Sequence, residues 1–250
     1  MKPSLYKFGQ GVISLAEVDP ETGVRGKWFE IGDVSAMSLS LESASIKHYE
    51  SQSGVQALAV DYNYRVTSTL TMTIRSFDLD NLALFTRGEL VKVPGGTVTG
   101  EALGSNLAAG DAFMLDHPKV ENVVLTSGGA PLVAGTDYSL DADFGKGVFL
   151  TAQPAAVTAA YTFGETEQLA MLKNAASKNY ALRFDELNIV RGGQKSIVEL
   201  YKISPSLLSQ LNFVSSGEEV DGAEVTAGAL IDQTKPATGD LGQFGRIVRL

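Results

Sequence analysis

His48, Glu50, Ser51 and Ser53 fall within six positions of the stretch ASIKHYESQSGVQ, residues 44–56. An imidazole beside a carboxylate and two hydroxyls is the inventory of nucleophilic hydrolysis, with histidine as general base, glutamate as its orienter and serine as nucleophile. Closeness in sequence is no support, because such triads are assembled from distant segments and recognised by geometry. The chain also contains no GxSxG elbow. The competing reading is a polar hairpin tip that touches another protein, and the flanking residues favour it.

Other stretches offer less chemistry. GTDYSLDADFGKG carries Asp137, Asp141 and Asp143 ahead of a glycine. It lacks the dense alternating ligands and closing bidentate glutamate of an EF-hand, so a strand ending in an Asp-rich turn is the better account than an ion site. VPGGTVTGEALGSN and TSGGAPL hold neither a P-loop nor GxGxxG after a strand, and read as loops. His117 precedes Pro118, which favours an extended or turn conformation and a loop-capping role over metal binding. Trp28 reads as packing at the start of the first strand. Cysteine is absent and the two histidines lie far apart, so disulfides and thiolate sites are excluded and a zinc site would need mostly carboxylates. No catalytic, cofactor-binding or metal-binding residue is assigned, and the chain reads as a non-enzyme that uses no cofactor.

The bulk numbers agree with a globular chain. In 250 residues, 44% are hydrophobic and 20% charged, enough for a substantial core in one or two domains. A net charge of −9 argues against gripping nucleic acid through phosphates, which needs clustered Lys and Arg. The N-terminal MKPSLYKFGQGVISL lacks the basic and apolar regions of a secretory signal, and no stretch has the apolar length of a membrane helix. The expectation is a soluble chain with no membrane partner.

Strong period-two alternation surrounds the opening cluster. From Leu58 to Ile74 the even positions are mostly apolar and the odd ones mostly Thr, Asn, Asp and Arg, which predicts a strand with one buried face about 55 Å long. Met37, Leu39 and Leu41 alternate in the same way with Ser38, Ser40 and Glu42. Two long alternating strands flanking Lys47 to Gln56 therefore form an antiparallel hairpin with that segment as its tip. Its polar face consists of small hydroxyl side chains rather than the Lys and Glu of an ordinary surface. After it, Asp78 is positioned to cap a short helix with Leu79, Leu82 and Ala83 on one stripe and Gly88 ending it in the left-handed region.

Between Pro94 and Gly164 the composition shifts to Gly, Ala, Pro and Thr. Short strands are expected at 112–115, 120–126, 137–140, 148–150 and 157–163. The chain then returns to longer strands, KNYALRFDELNIV and QKSIVELYKIS, joined by the turn Arg191-Gly192-Gly193-Gln194. The apolar phase changes between Phe184 and Leu187, predicting a bulge near Asp185 and Glu186. The second of these strands is apolar on both faces and should be central. The tail from Ser215 is polar until GQFGRIVRL, which reads as a last strand.

These stretches in this order resemble the major tail tube protein of long, non-contractile-tailed bacteriophages. The matching segments are GVISLAEVDPETG, WFEIGDVSAMSLSL to HYESQSG, RSFDLDNLALFTRGE, GTDYSLDADFGKGVFL, NYALRFDELNIVRGGQKSIVELYKISPS and LGQFGRI. The resemblance implies a mainly β fold, a β-sandwich or barrel-like tail tube core formed by residues 1–94 and 165–250, with one short flanking α-helix. Residues 95–164 would be an inserted small all-β subdomain on the outside. It implies a structural virion protein whose partners are itself, in hexameric rings stacked into a tube, and the tape measure, terminator and distal tail proteins. DNA would pass through the lumen without specific binding, and the protein would reside in the virion tail after assembly in the host cytoplasm. By that resemblance Ser38, Ser40, Glu42, Thr67, Thr69, Thr71 and Thr73 face the lumen. Lys47, His48, Tyr49, Glu50, Ser51, Gln52 and Gly54 form an assembly loop, with Gly54 as a hinge. The alternatives are another ring-forming tail component, such as a connector or terminator, and a monomeric carbohydrate-binding β-sandwich with an exposed aromatic platform.

Overall fold

The computed structural model describes residues 9–52, 54–174, 176–188, 194–214, 217 and 221–250. Its contacts separate into two compact units, residues 1–89 with 170–250, and residues 90–169. The first unit carries β1 (Gly9–Val18), β2 (Arg25–Glu30), β3 (Val34–Tyr49), β4 (Leu58–Ile74) and α1 (Leu79–Phe85). β5 (Glu89–Val93) leads into the second unit, which holds β6 (Gly96–Gly104), β7 (Ala112–Met114), β8 (Val120–Ser127), β9 (Ala130–Pro131), β10 (Tyr138–Asp141), β11 (Lys146–Phe149) and β12 (Val157–Phe163). β13 (Thr166–Ala170) pairs with β5, and the first unit resumes with β14 (Asn179–Asn188), β15 (Gln194–Pro205), β16 (Ala223–Leu230) and β17 (Gly245–Arg249).

The first unit is one eight-stranded sheet in the order β2-β1-β14-β15-β16-β4-β3, with β17 also paired to β15. It curls around a core of Ile13, Leu15, Ile31, Leu70, Met72, Ile74, Leu182, Ile203 and Val225, all nearly inaccessible. The fold is mainly β and β-sandwich-like. β15 is central, bonded to β14 on one side and to β16 and β17 on the other, as its two apolar faces require. The β1–β2 connection is held by Asp19, whose Oδ1 accepts from the Glu21 and Thr22 amides and the Thr22 hydroxyl. Those bonds, the Thr22 amide first, keep the Asp19 carboxyl below the usual carboxylate range.

Several expectations need correction. No bulge interrupts β14 at Asp185 and Glu186; the register shift against β15 lies between Tyr180 and Leu182. The apolar phase changes because Glu186 and Asn188 are buried while Leu187 points out, Glu186 accepting a 2.6 Å bond from the Ser196 hydroxyl. In α1, Asp78 is the cap, accepting from the Asn81 amide at 2.7 Å. The inward side chains, however, are Asn81 and Phe85 rather than Leu79, which is exposed. Arg87, at φ 49°, takes the left-handed position expected of Gly88. Trp28 lies on β2 outside the buried core cluster, over one-third exposed, with the Arg25 guanidinium 5.7 Å from its ring. AEVTAGAL, passed over as polar tail, is β16, burying Ala223, Val225, Ala227 and Ala229 between β15 and β4. Residues 191–193 of the expected Gly-Gly turn lie outside the described residues.

The second unit has its own core, with Phe113, Leu125, Tyr138, Phe149, Val157 and Tyr161 at its centre. A four-stranded sheet, β6-β12-β8-β9, and a three-stranded one, β10-β11-β7, supply it. The glycine-rich stretch read as a loop is strand β6, paired along β12 and packing Val98 and Leu103 on that core. His117 stacks on Phe163, centroids 3.7 Å apart and rings parallel, instead of capping a loop. The Tyr161 hydroxyl donates to Glu101, and burial pushes its ionisation well above the ordinary tyrosine range.

Candidate assembly face

The hairpin β3–β4 is built as the alternation required, but its two halves differ. β3 has 16 residues and β4 has 17, against about five or six in a typical strand. In the proximal half Met37 faces Met72 and Leu39 faces Leu70 across the ladder, turned toward the core. On the opposite face Ser38 lies against Thr71, Ser40 against Thr69, Glu42 against Thr67 and Ala36 against Thr73. Register therefore gathers Ser38, Ser40, Glu42, Thr67, Thr69, Thr71 and Thr73 on one side of one ribbon, all at least partly accessible. β16 flanks β4 only from Thr69 to Ile74. Among the described residues the hairpin beyond that point has no other strand beside it.

A β-bulge then changes the faces. Ala44 pairs with Arg65 and Ser45 with Asn63, so β4 carries one extra residue, Tyr64, opposite an uninterrupted β3. Directly opposed residues share a face, and β3 keeps its alternation. Ile46 with Tyr62 and His48 with Val60 consequently fall on the side of the hydroxyl row, while Ser45 with Asn63 and Lys47 with Asp61 fall on the side that faces the core lower down. The even positions of β4 are thus not one continuous buried face. Only Ser68, Leu70, Met72 and Ile74 are buried; Val60, Tyr62, Tyr64 and Val66 are each about half exposed or more.

The assembly loop expected at 47–56 is shorter than anticipated, because Lys47, His48 and Tyr49 belong to β3. In the connection, the Glu50 amide donates to Ala57 O at 2.9 Å and the Gln52 amide to the Glu50 carboxylate at 2.8 Å. Ser51 and Gln52 are exposed, and Gly54 has φ 77° with open space where a side chain would project. Ser53 lies outside the described residues. His48 faces Val60, and Glu50 is bound to its own turn.

The aspartates of the second unit are likewise tied into turns. Asp137 accepts from the Val133 amide and the Thr151 hydroxyl, and Asp141 from the Asp143 amide. Among the described residues no group of three or more His, Asp or Glu is arranged to hold a metal ion.

Among the described residues of the first unit, several depressions open at the surface. A cleft of about 440 Å3 beside α1 is lined by Glu17, Phe29, Asp80, Arg87, Lys178 and Tyr180. Burial first, then the nearby Glu17 carboxylate, pushes the Tyr180 hydroxyl up to about 12. A larger groove, about 760 Å3, lies between Asp33, Ser35, Met37 and Leu39 on one wall and Ile13, Phe184, Glu186, Val198 and Ile247 on the other. Sequence reasoning had no signal for this groove, since its walls come from segments distant in the chain.

A family model described as "Protein of unknown function UCP028589" matches residues 6–248. The chain belongs to that family. No curated protein matches it. The UCP028589 match spans both units.

Proposed function

We propose that this UCP028589 chain is a structural subunit that assembles into stacked rings enclosing a channel, as its resemblance to phage tail tube proteins implies. The supporting observation is the hairpin: it outruns its own sandwich, carries a hydroxyl row on one face, and leaves apolar side chains uncovered beyond the core. A two-stranded ribbon in water is marginal by itself, so its length makes sense only if other copies support it. In a ring the row formed by Ser38, Ser40, Glu42, Thr67, Thr69, Thr71 and Thr73 would line the lumen. Glu42 is the one charged member of this row and Arg65, opposite Ala44, follows on the same face, so the wall is close to neutral and offers duplex DNA hydration instead of the clustered cations that would stall transit. Tape measure, terminator and distal tail proteins would be the other partners, in a virion tail.

Negative-stain electron microscopy of the purified chain at rising concentration, with light scattering alongside, tests the reading. Rings or hollow filaments are expected. A species that stays monomeric at high concentration would instead favour a binding module, for which the exposed Tyr62 and Tyr64 would supply an aromatic platform.

A further inference from the structure

The three-stranded sheet of the second unit, β10-β11-β7, turns one face into that unit's core and leaves the other uncovered. Cross-strand register sets Tyr138 against Phe149, and Leu140 and Phe113 on either side of Gly147, on the inner face. The alternate rows face outward: Asp141, Lys146 and Met114 in one, Ser139, Val148 and Ala112 in the next. Leu150 continues the outer face two residues beyond Val148 and is 46% exposed. Met114 is 69% exposed, and Phe144, in the turn that joins β10 to β11, is 77% exposed. These apolar side chains together present on the order of 400 Å2 to water, a size of patch that is often functional.

The charge around this face is one-sided. Residues 90–169 hold nine acidic and three basic side chains, so this unit carries six of the chain's nine net negative charges. Asp111 directly precedes Ala112, the Asp137 carbonyl accepts from the Leu150 amide at 2.7 Å, and Asp141 and Asp143 lead into Phe144. Among the described residues Lys146 is the one cation on the face. We propose that the face docks a basic protein partner, one whose contact surface is apolar at the centre and carries lysine or arginine at its rim. A second copy is the wrong occupant, because it would set the same aspartates against one another, and like charges opposed across an interface select against that pairing. A cationic rim instead meets Asp111, Asp141 and Asp143, all exposed, while Met114, Phe144 and Leu150 are taken out of water. The apolar centre is about half of the roughly 800 Å2 that one partner contributes to a standard interface, so the acidic rim supplies the rest and the contact is weak and salt-sensitive. This goes beyond ring assembly and does not rest on it, since no residue of the β3–β4 hairpin takes part.

The test is binding of a short dye-labelled peptide of alternating leucine and lysine to the full chain, read by fluorescence anisotropy below the concentration at which light scattering shows assembly. The same peptide with glutamate in place of lysine should not bind. Met114→Ser and Phe144→Ser, combined in one chain, alter exposed positions and should leave the second unit folded, which circular dichroism checks. They should weaken binding of the lysine peptide roughly tenfold, as truncation of central contact residues does. Asp141→Asn with Asp143→Asn keeps the Oδ1 acceptor that closes the turn and should weaken binding comparably at low salt and less at high salt. Glu165→Gln with Glu167→Gln removes the same charge outside this face and should change binding by about twofold at most. Equal binding by wild type and the doubly serine-substituted chain, or equal losses from the two acidic pairs, would overturn the assignment. A sedimentation coefficient that rises with concentration in wild type and stays constant in Met114→Ser would also overturn it, because the face would then belong to a second copy.

Discussion

Tyr62 and Leu70 occupy even positions of the same strand, and alternation alone gives them equal burial; aspartate at each separates them. Leu70 is 2% exposed in the core of the first unit, facing Leu39 across the ladder. Replacing it loses about 2–3 kcal/mol of apolar burial. Adding a carboxylate with no partner costs several kcal/mol more. The total, at least about 5 kcal/mol, reaches the lower end of a domain's whole stability, so Leu70→Asp is expected to leave the first unit unfolded. Tyr62 is 64% exposed about 26 Å further along the strand. Tyr62→Asp removes little burial in the free chain, and the remaining loss of strand preference is about 1 kcal/mol at most, confined to the ribbon. Urea denaturation at low protein concentration should show a midpoint near wild type for Tyr62→Asp and no native baseline for Leu70→Asp. Light scattering at high concentration should show that Tyr62→Asp no longer assembles. Unfolding of Tyr62→Asp at low concentration would refute the reasoning, because it would mean that the distal ribbon is packed in the single chain. Wild-type assembly by Tyr62→Asp would refute the role given to the ribbon's apolar face.

Tyr180 is held neutral by its surroundings, with a folded value of about 12 against about 10 unfolded, so its contribution is complete below pH 10 and disappears as pH rises toward 12. Tyr180→Phe should therefore unfold less steeply than wild type between those values, followed by circular dichroism. Asp19 has the opposite sign: its depressed ionisation stabilises the fold above about pH 4 and the effect is lost as pH falls below that. The stability gap between wild type and Asp19→Asn should accordingly be present at pH 7 and narrow as the pH falls below about 4. Gly147 leaves no room for a methyl group, since a Cβ there would lie 2.2 Å from the Phe113 ring and 2.5 Å from Ser139 O. Gly147→Ala should cost about 3 kcal/mol in the second unit alone, read as faster amide exchange in β12 while β14 and β15 keep their protection.

What the sequence made legible was the part written in large alternating side chains. β3 and β4, the central β15 and five strands of the second unit all announce themselves by period two or by turn residues beside them. β16 and β6 did not, because their inward positions are filled with Ala or broken by Gly and Thr, and the backbone ladder carries what side chains do not advertise. Glu186 and Asn188 escaped for a related reason. A buried polar residue with a partner such as Ser196 looks on paper like a break in phase, and a bulge is the natural but mistaken explanation. The hydroxyl row was visible as a sequence feature, yet its membership of one face depended on register, which the Met37–Met72 and Leu39–Leu70 pairs fix through the core.

The bulge at Tyr64 is the feature that sequence periodicity conceals most completely. The even positions of β4 stay mostly apolar from Leu58 to Ile74, and a regular strand with that pattern would put one greasy face along its whole length. One extra residue against an unbroken β3 converts the same pattern into two faces on opposite sides. A ribbon that changes sides midway is anchored to its own sandwich by one half and leaves the apolar side chains of the other half, Ile46, Val60 and Tyr62, on the opposite face. Lys47 and Asp61 then occupy the distal face that would otherwise continue the core, keeping it wetted and discouraging the edge-to-edge pairing to which a long exposed strand is prone.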